Sequence, residues 1–311
     1  MMAEAHEADD DIFVYMGGDQ VVPNDVVRVR IDRSVNMIPT RAFYHRSRLI
    51  DVEFHDGIEI IEEVAFFYCC SLISVKLFGV REIKWRAFSN CSDLINVKFV
   101  DKLETIEQGA FQDCTSLETI KMPSIRIIRQ FAFINCEQLT DIEFGEELET
   151  LQRYAFNDCQ HLRRVSMPLK DGMIEDNAFA FCPNLTTVAL VGGIHNTIAS
   201  LHLESWRNEM KDEINIINRV LPNTRAARKT AEIQQWIGSV ILRIDHYKNE
   251  HRILLKEATT LLELALWKAK IDEKEEKGHV EGMKAKRLKL DIQSERNERR
   301  ITSGASIVIK N

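Results

Sequence analysis

The sequence lacks several features that would place it in a common functional class. Its 41 lysine and arginine residues are outnumbered by 48 aspartate and glutamate residues, so the formal net charge is −7 and a general nucleic-acid binder with a wholly basic surface is excluded. No apolar run approaches the roughly 18 residues that a membrane helix needs. The N-terminus has no basic region followed by an apolar stretch, as a secretory signal requires. We expect an intracellular protein, cytoplasmic or nuclear, with no membrane span.

Motifs of catalysis and cofactor binding are also missing. The sequence has no Ser/His/Asp order, no HExxH motif and no glycine-rich phosphate loop. Its seven cysteines form no CxxC pair and its nine histidines do not cluster with metal-ligating residues. We therefore expect a non-enzymatic protein that has no cofactor, no metal site and no small-molecule substrate, and whose thiols are reduced.

A repeat of 22 or 23 residues dominates the first two thirds of the chain. An Ala-Phe pair recurs with the phenylalanine at intervals of 23, 22, 23, 22, 23 and 23 residues. An aliphatic residue stands five positions before each phenylalanine, a leucine six positions after it, and valine or isoleucine nine positions after it. The phenylalanines are Phe43, Phe66, Phe88, Phe111, Phe133, Phe156 and Phe179.

Each part of the repeat has a structural meaning. The V-x-F end alternates as a half-buried strand does, and the A-F-x-x-C-x-x-L part, with apolar residues three apart, predicts a short helical or 3₁₀ turn packed against that strand. One unit cannot bury its phenylalanine, leucine and valine alone. The units are therefore expected to stack, with the phenylalanines forming an internal column.

This pattern resembles the BspA-like, or Treponema-type, leucine-rich repeats over roughly residues 26–191. The resemblance implies an α+β solenoid, a leucine-rich repeat stack of seven 22–23-residue units, and a fold used in binding. Val26, Val29 and Ile31 repeat the strand offsets without an Ala-Phe turn and predict an N-terminal cap strand, while "VYMGGDQVVPND" before it is expected to be a capping loop. Residues 1–25 are accordingly assigned to an acidic leader and capping loop.

Six cysteines stand three positions after the repeat phenylalanine: Cys69, Cys91, Cys114, Cys136, Cys159 and Cys182. Their period does not match the close ligand pairs of a zinc site, so we interpret them as small buried apolar side chains rather than as a metal or redox ladder. Arg46 takes this position in the first unit, and Cys70 stands outside the pattern.

The outward-facing strand positions form the candidate site. They line up from unit to unit in rows about 4.8 Å apart, and the central row contains Arg30, Glu53, Lys76, Lys98, Lys121 and Glu143 in succession. We expect Arg30 to face Glu53, and the three lysines to form a strip that binds an acidic segment of a protein partner or the acidic leader of this chain. The alternative is a solvated face.

The second half of the chain has helical periodicity. Residues 198–221 predict one amphipathic helix ending before Pro222, and a heptad seam runs from Ile233 to Ala265, passing through His251 and Ala258. Two interpretations stay open: the helices cover the C-terminal end of the solenoid, or the heptad helix forms a coiled-coil dimer. The protein is thus expected to be a protein-protein interaction scaffold, or alternatively a structural, oligomerising protein acting through that helix.

Residues 192–271 are therefore assigned to a helical bundle or coiled-coil module, and residues 272–311 to a charged, disordered tail. Within the tail, "KAKRLKLD" resembles a short monopartite nuclear localisation signal. Its basic residues are Lys284, Lys286, Arg287 and Lys289.

Overall fold

The computed structural model describes residues 12–276 and 293–295, and two parallel sheets run the length of the repeat region. The larger sheet contains β1 (Ile12–Tyr15), β2 (Arg28–Ile31), β4 (Asp51–Glu53), β6 (Ser74–Leu77), β8 (Asn96–Phe99), β10 (Thr119–Met122), β12 (Asp141–Phe144), β14 (Arg164–Met167) and β15 (Thr187–Leu190). The smaller sheet contains β3 (Met37–Ile38), β5 (Ile60–Ile61), β7 (Glu82–Ile83), β9 (Thr105–Ile106), β11 (Ile127–Ile128) and β13 (Thr150–Leu151). The predicted solenoid is confirmed.

The register of the larger sheet follows the repeat. Equivalent residues pair across neighbouring strands, as in Val29 with Val52 and Val165 with Val188. Because side chains alternate along a strand, these valines all point inward and are buried. The residues between them are left on the outer face of the sheet.

The Ala-Phe segment forms a turn, as expected, and its hydrogen bonds are of the 3₁₀ type, from the Ala65 N–H to the Glu62 carbonyl and from the Cys69 N–H to the Phe66 carbonyl in the second unit. The turn does not continue into a regular helix. Two residues in each unit, two positions before and two positions after the phenylalanine, have positive φ; in the second unit they are Val64 (φ 50°) and Tyr68 (φ 64°). A left-handed residue redirects the backbone and interrupts helical hydrogen bonding. From Phe43 to Phe156, each repeat phenylalanine instead donates its N–H to the alanine carbonyl of the next unit over 2.7–2.8 Å.

The core of the solenoid is a column of stacked rings. Neighbouring repeat phenylalanines have centroids 4.7–5.7 Å apart and interplanar angles of 1–14°. All seven rings are buried. Contacts of this kind contribute roughly 0.5–1.5 kcal/mol each beyond the burial of apolar area.

The N-terminal end contains one strand more than expected. The predicted cap strand is present as β2, but β1 precedes it and pairs with it in parallel, placing Val14 opposite Arg30 and Tyr15 opposite Ile31. The expectation that the segment from Val14 onward is all loop is therefore wrong for its first two residues. Tyr15 packs edge-on against Phe43 at 5.1 Å, so an aromatic ring covers the end of the column that a neighbouring unit covers elsewhere.

Helices follow the last strand: α1 (Gly193–Ile198), α2 (Glu204–Asn215), α3 (Ile217–Val220), two 3₁₀ turns at Leu221–Asn223 and Ala226–Arg228, and α4 (Lys229–Glu276). The single helix expected over residues 198–221 is interrupted, because Leu203 is extended (φ −89°, ψ 136°) and starts a new helix. The chain divides into one compact unit ending at Ile244 and a second beginning at Asp245. None of the helices in the described part of the chain has the length and hydropathy needed to cross a bilayer.

Side chains from the helices complete the hydrogen bonding of the last unit. The Phe179 N–H, which has no next unit to donate to, donates to Thr230 Oγ1 at 2.9 Å. The side-chain amide of Asn218 accepts from the Val188 N–H at 2.8 Å and donates to the Val188 carbonyl at 3.2 Å. A primary amide thus takes the place of the peptide group of a further strand, and an open sheet edge is covered.

Two further side chains make the same kind of contact. Lys229 is fully buried and its ammonium donates to the carbonyls of Leu185 and Leu221; burial lowers its pKa. The side-chain amide of Gln234 donates to the Ile174 carbonyl at 2.8 Å. Of the two interpretations of the helical region, the structure realises the end cap for the part that precedes Asp245.

Candidate functional site

The outer face of the larger sheet carries the predicted rows. The central row, formed by the third residue of each strand, is Val14, Arg30, Glu53, Lys76, Lys98, Lys121, Glu143, Ser166 and Ala189. Beside it runs the row of first residues: Ile12, Arg28, Asp51, Ser74, Asn96, Thr119, Asp141, Arg164 and Thr187.

Ion pairs neutralise both ends of the charged part of the central row, which runs from Arg30 to Glu143. Arg30 Nε lies 2.6 Å from Glu53 Oε2, as expected. Lys121 Nζ lies 2.8 Å from Glu143 Oε2, and these two residues are directly opposite each other in the register. Lys121, which the sequence analysis assigned to the three-lysine strip, therefore has an acid as the next residue of its own row.

Lys76 and Lys98 form the remaining charged feature. They are directly opposite each other on β6 and β8, both are exposed, and neither has an ion-pair partner among the described residues. Their neighbours in the adjoining row, Ser74 and Asn96, carry no charge. Like charges opposite each other destabilise a sheet, so folding alone gives no reason for this arrangement.

An apolar row that was not anticipated from the sequence lies on the far side of the row of first residues from these lysines. Ile50 and Ile73 immediately precede their strands and are 40% and 45% exposed, and Ile95 is half-buried. Adjacent turns are joined by hydrogen bonds from the Ile73 N–H to the Ile50 carbonyl (3.1 Å) and from the Ile95 N–H to the Ile73 carbonyl (2.9 Å). The sequence does carry a signal: the position after the repeat leucine is isoleucine in the first three units and polar from Glu118 onward.

At two other places on the solenoid, charges of both signs are mixed. On the strand face, a shallow groove of about 380 Å³ over β10, β12 and β14 mixes Lys121, Asp141, Glu143 and Arg164. At the bends between the two sheets, ion pairs join neighbouring units, as in Arg126 Nη2 with Glu149 Oε1 at 2.6 Å. Exposed pairs of this kind stabilise the fold by about 0–1 kcal/mol.

The repeat cysteines are buried, and their role differs from simple packing. Each donates its S–H to the carbonyl of the repeat phenylalanine one unit earlier, with S···O distances of 3.1–3.3 Å. In the first unit Arg46 does the equivalent, because its Nη2 donates to the Val22 carbonyl at 2.7 Å. Burial raises the pKa of Cys69 to about 12, and burial also raises the pKa of Cys91 well above its ordinary value. Cys69 and Cys91 are therefore protonated at neutral pH and unreactive.

The described residues contain no group of three histidine, cysteine, aspartate or glutamate side chains that could hold a metal ion. Cys70 is half-buried and its Sγ lies 3.7 Å from the Tyr68 carbonyl oxygen. The basic residues of the candidate nuclear signal, Lys284, Lys286, Arg287 and Lys289, lie outside the described residues.

A family model matches the repeat region described above. The model of the BspA type leucine rich repeat region matches residues 24–125 and 81–208, with six copies. Among solved structures, a leucine-rich repeat protein from T. pallidum is 30% identical over 45% of this chain and 67% of its own, with a TM-score of 0.41. A leucine-rich repeat protein from Bacteroides ovatus is 24% identical over 53% of this chain and 55% of its own, with a TM-score of 0.35. Curated protein sequences gave no match.

Proposed function

Because the chain belongs to the BspA-type leucine-rich repeat family, we propose that it is a non-catalytic protein-interaction scaffold whose binding surface is the outer face of the larger sheet. Binding needs a preformed surface rather than a reaction centre, and the stacked units supply one. The observation that carries this proposal is the combination of unpaired lysines and exposed isoleucines on the first units, hereafter the N-terminal strip (Ile50, Ile73, Ile95, Lys76 and Lys98).

The chemistry of the N-terminal strip favours one kind of partner. Lys76 and Lys98 present two adjacent ammonium groups, so they favour carboxylates, while the isoleucine row favours apolar side chains. An extended acidic segment that also carries apolar residues satisfies both rows. The acidic leader of this chain is the second candidate from the sequence, and residues 1–11 lie outside the described residues.

Peptide display with the full chain as bait tests this proposal. We expect random 12-residue peptides selected on the wild-type chain to be enriched in aspartate or glutamate together with apolar residues. Lys76→Glu with Lys98→Glu should weaken binding of a selected synthetic peptide at least tenfold, because attraction becomes repulsion. Raising the salt concentration from 50 to 500 mM should weaken binding to the wild-type chain and not to this double variant.

The matched control is Lys102→Glu, which reverses an exposed lysine in the bend between β8 and β9. It should leave the affinity unchanged. Selected peptides without acidic enrichment, or an equal loss of affinity in the control and the double variant, would contradict the assignment of the N-terminal strip.

A further inference from the structure

The part of α4 that follows Ile244 exposes an unusual number of large apolar side chains. Leu254, Leu255, Leu262 and Leu266 are 47–62% exposed. These leucines lie on a single helix and not in a solenoid turn. Exposed leucines are normal when scattered singly, so the arrangement of these residues is what matters.

Spacing places these leucines on one face. The four leucines are one, seven and four residues apart in succession, and these spacings keep them on one side of a helix. This surface, hereafter the C-terminal stripe, consists of Leu254, Leu255, Ala258, Leu261, Leu262, Ala265 and Leu266. Two exposed apolar residues, Ile253 (55%) and Trp267 (48%), lie with Thr260 on the opposite side of the same helix.

The two halves of the heptad seam have different surroundings. Ile233, Ile237, Val240 and Ile244 are buried within the first compact unit, so this half already has its packing partners. In the second half, Leu254, Ala258 and Ala265 are exposed. Covering the end of the solenoid therefore explains the first half of the seam and leaves the second half unexplained.

We infer that the C-terminal stripe is a self-association surface, occupied by the same stripe of a second copy of this chain. At about 100 Å² for each half-exposed leucine, the four leucines present about 400 Å² of apolar surface per chain. Two stripes together, with Leu261 and the alanines added, reach the roughly 1,000 Å² that a specific interface needs. Ala258 and Ala265 permit the close approach of a second backbone, and two identical stripes are complementary because both are apolar.

Sedimentation equilibrium of the full chain between 1 and 50 μM tests this inference. The wild-type chain should approach twice the 35.9 kDa mass of one chain. Leu255→Glu with Leu262→Glu should raise the dimer dissociation constant at least 30-fold. Ile253→Glu, equally exposed on the opposite side of the helix, should leave it unchanged.

A cross-linking experiment is independent of how these variants fold. In a Cys70→Ser background, which removes the half-buried thiol, Ala258→Cys should give a covalent dimer under mild oxidation and Thr260→Cys should not. A wild-type chain that is monomeric at 50 μM, or equal cross-linking at both positions, would overturn the inference. Lys76→Glu with Lys98→Glu should not alter the dimer, so failure of one proposal is distinguishable from failure of the other.

Discussion

The buried cysteine column predicts a steep loss of stability above pH 9. Burial raises the pKa of five of the repeat thiols, those of Cys69, Cys91, Cys114, Cys136 and Cys159, above the 9.0 of a free thiol. Above pH 9 the unfolded chain releases these protons while the folded chain retains them. The unfolded state then binds fewer protons, so stability is fully present below pH 9 and falls as the pH rises toward the folded-state values.

The size of this effect follows from proton linkage. At pH 10 each such thiol costs the folded state about 1.4 kcal/mol relative to neutral pH. Five thiols therefore remove about 7 kcal/mol, which is comparable to the roughly 5–15 kcal/mol total stability of a typical protein. A single surface thiol, which has the same pKa in the folded and unfolded states, would contribute almost nothing.

Urea denaturation followed by circular dichroism, at pH 7.5, 9 and 10 with a thiol reductant present, measures this effect. The variant carrying Cys114→Ala and Cys136→Ala should be less stable than the wild type at pH 7.5, where the thiols are protonated and their packing and hydrogen bonds count. It should nevertheless lose about 3 kcal/mol less than the wild type on going to pH 10, because two titrating groups are gone. Equal losses in the two proteins would refute the linkage argument.

Three further substitutions test the packing and the cap. Thr230→Val should cost about 1–3 kcal/mol in urea denaturation, because it leaves the buried Phe179 N–H without its acceptor, whereas Thr259→Val on the exposed helix should change the stability by less than about 0.5 kcal/mol. Phe111→Ala should cost about 3–5 kcal/mol, because it empties the middle of the ring column, and a thermal midpoint within one degree of the wild type would contradict this. Gly109→Ala should cost about 1 kcal/mol at its φ of +65°, and an unchanged or higher urea midpoint would show that the backbone there relaxes.

Much of the fold was predictable because the repeat reports burial directly. Seven phenylalanines at 22- or 23-residue intervals, with a leucine and a valine or isoleucine at constant offsets, are enough to predict stacked units, an inward-facing strand row and an internal aromatic column. The same offsets located the cap strand at Val29 and Ile31 without an Ala-Phe turn. Apolar periodicity indicates which side of a segment is buried, and the seven repeats of this chain all give the same indication.

The tertiary structure decided what periodicity does not encode. Apolar residues three positions apart fit a regular helical turn and also the observed turn with two left-handed residues, because both bury the same side chains. The positive φ values of Val64 and Tyr68 therefore followed only from the packed units. The pairing of Lys121 with Glu143 depends on two side chains meeting across strands.

The clearest feature that only the tertiary structure determines is in α4. The heptad pattern is continuous in the sequence, yet Ile233–Ile244 is packed in the first unit while the leucines from Leu254 onward are exposed. Asn218 and Thr230, which complete the hydrogen bonds of the last unit, are not apolar and belong to no repeat. The sequence by itself thus determined which residues of the repeat avoid water. Only the tertiary structure decided which half of the heptad seam is packed and which polar groups meet, because a hydrogen bond or ion pair requires two groups distant in the chain to come within about 3 Å.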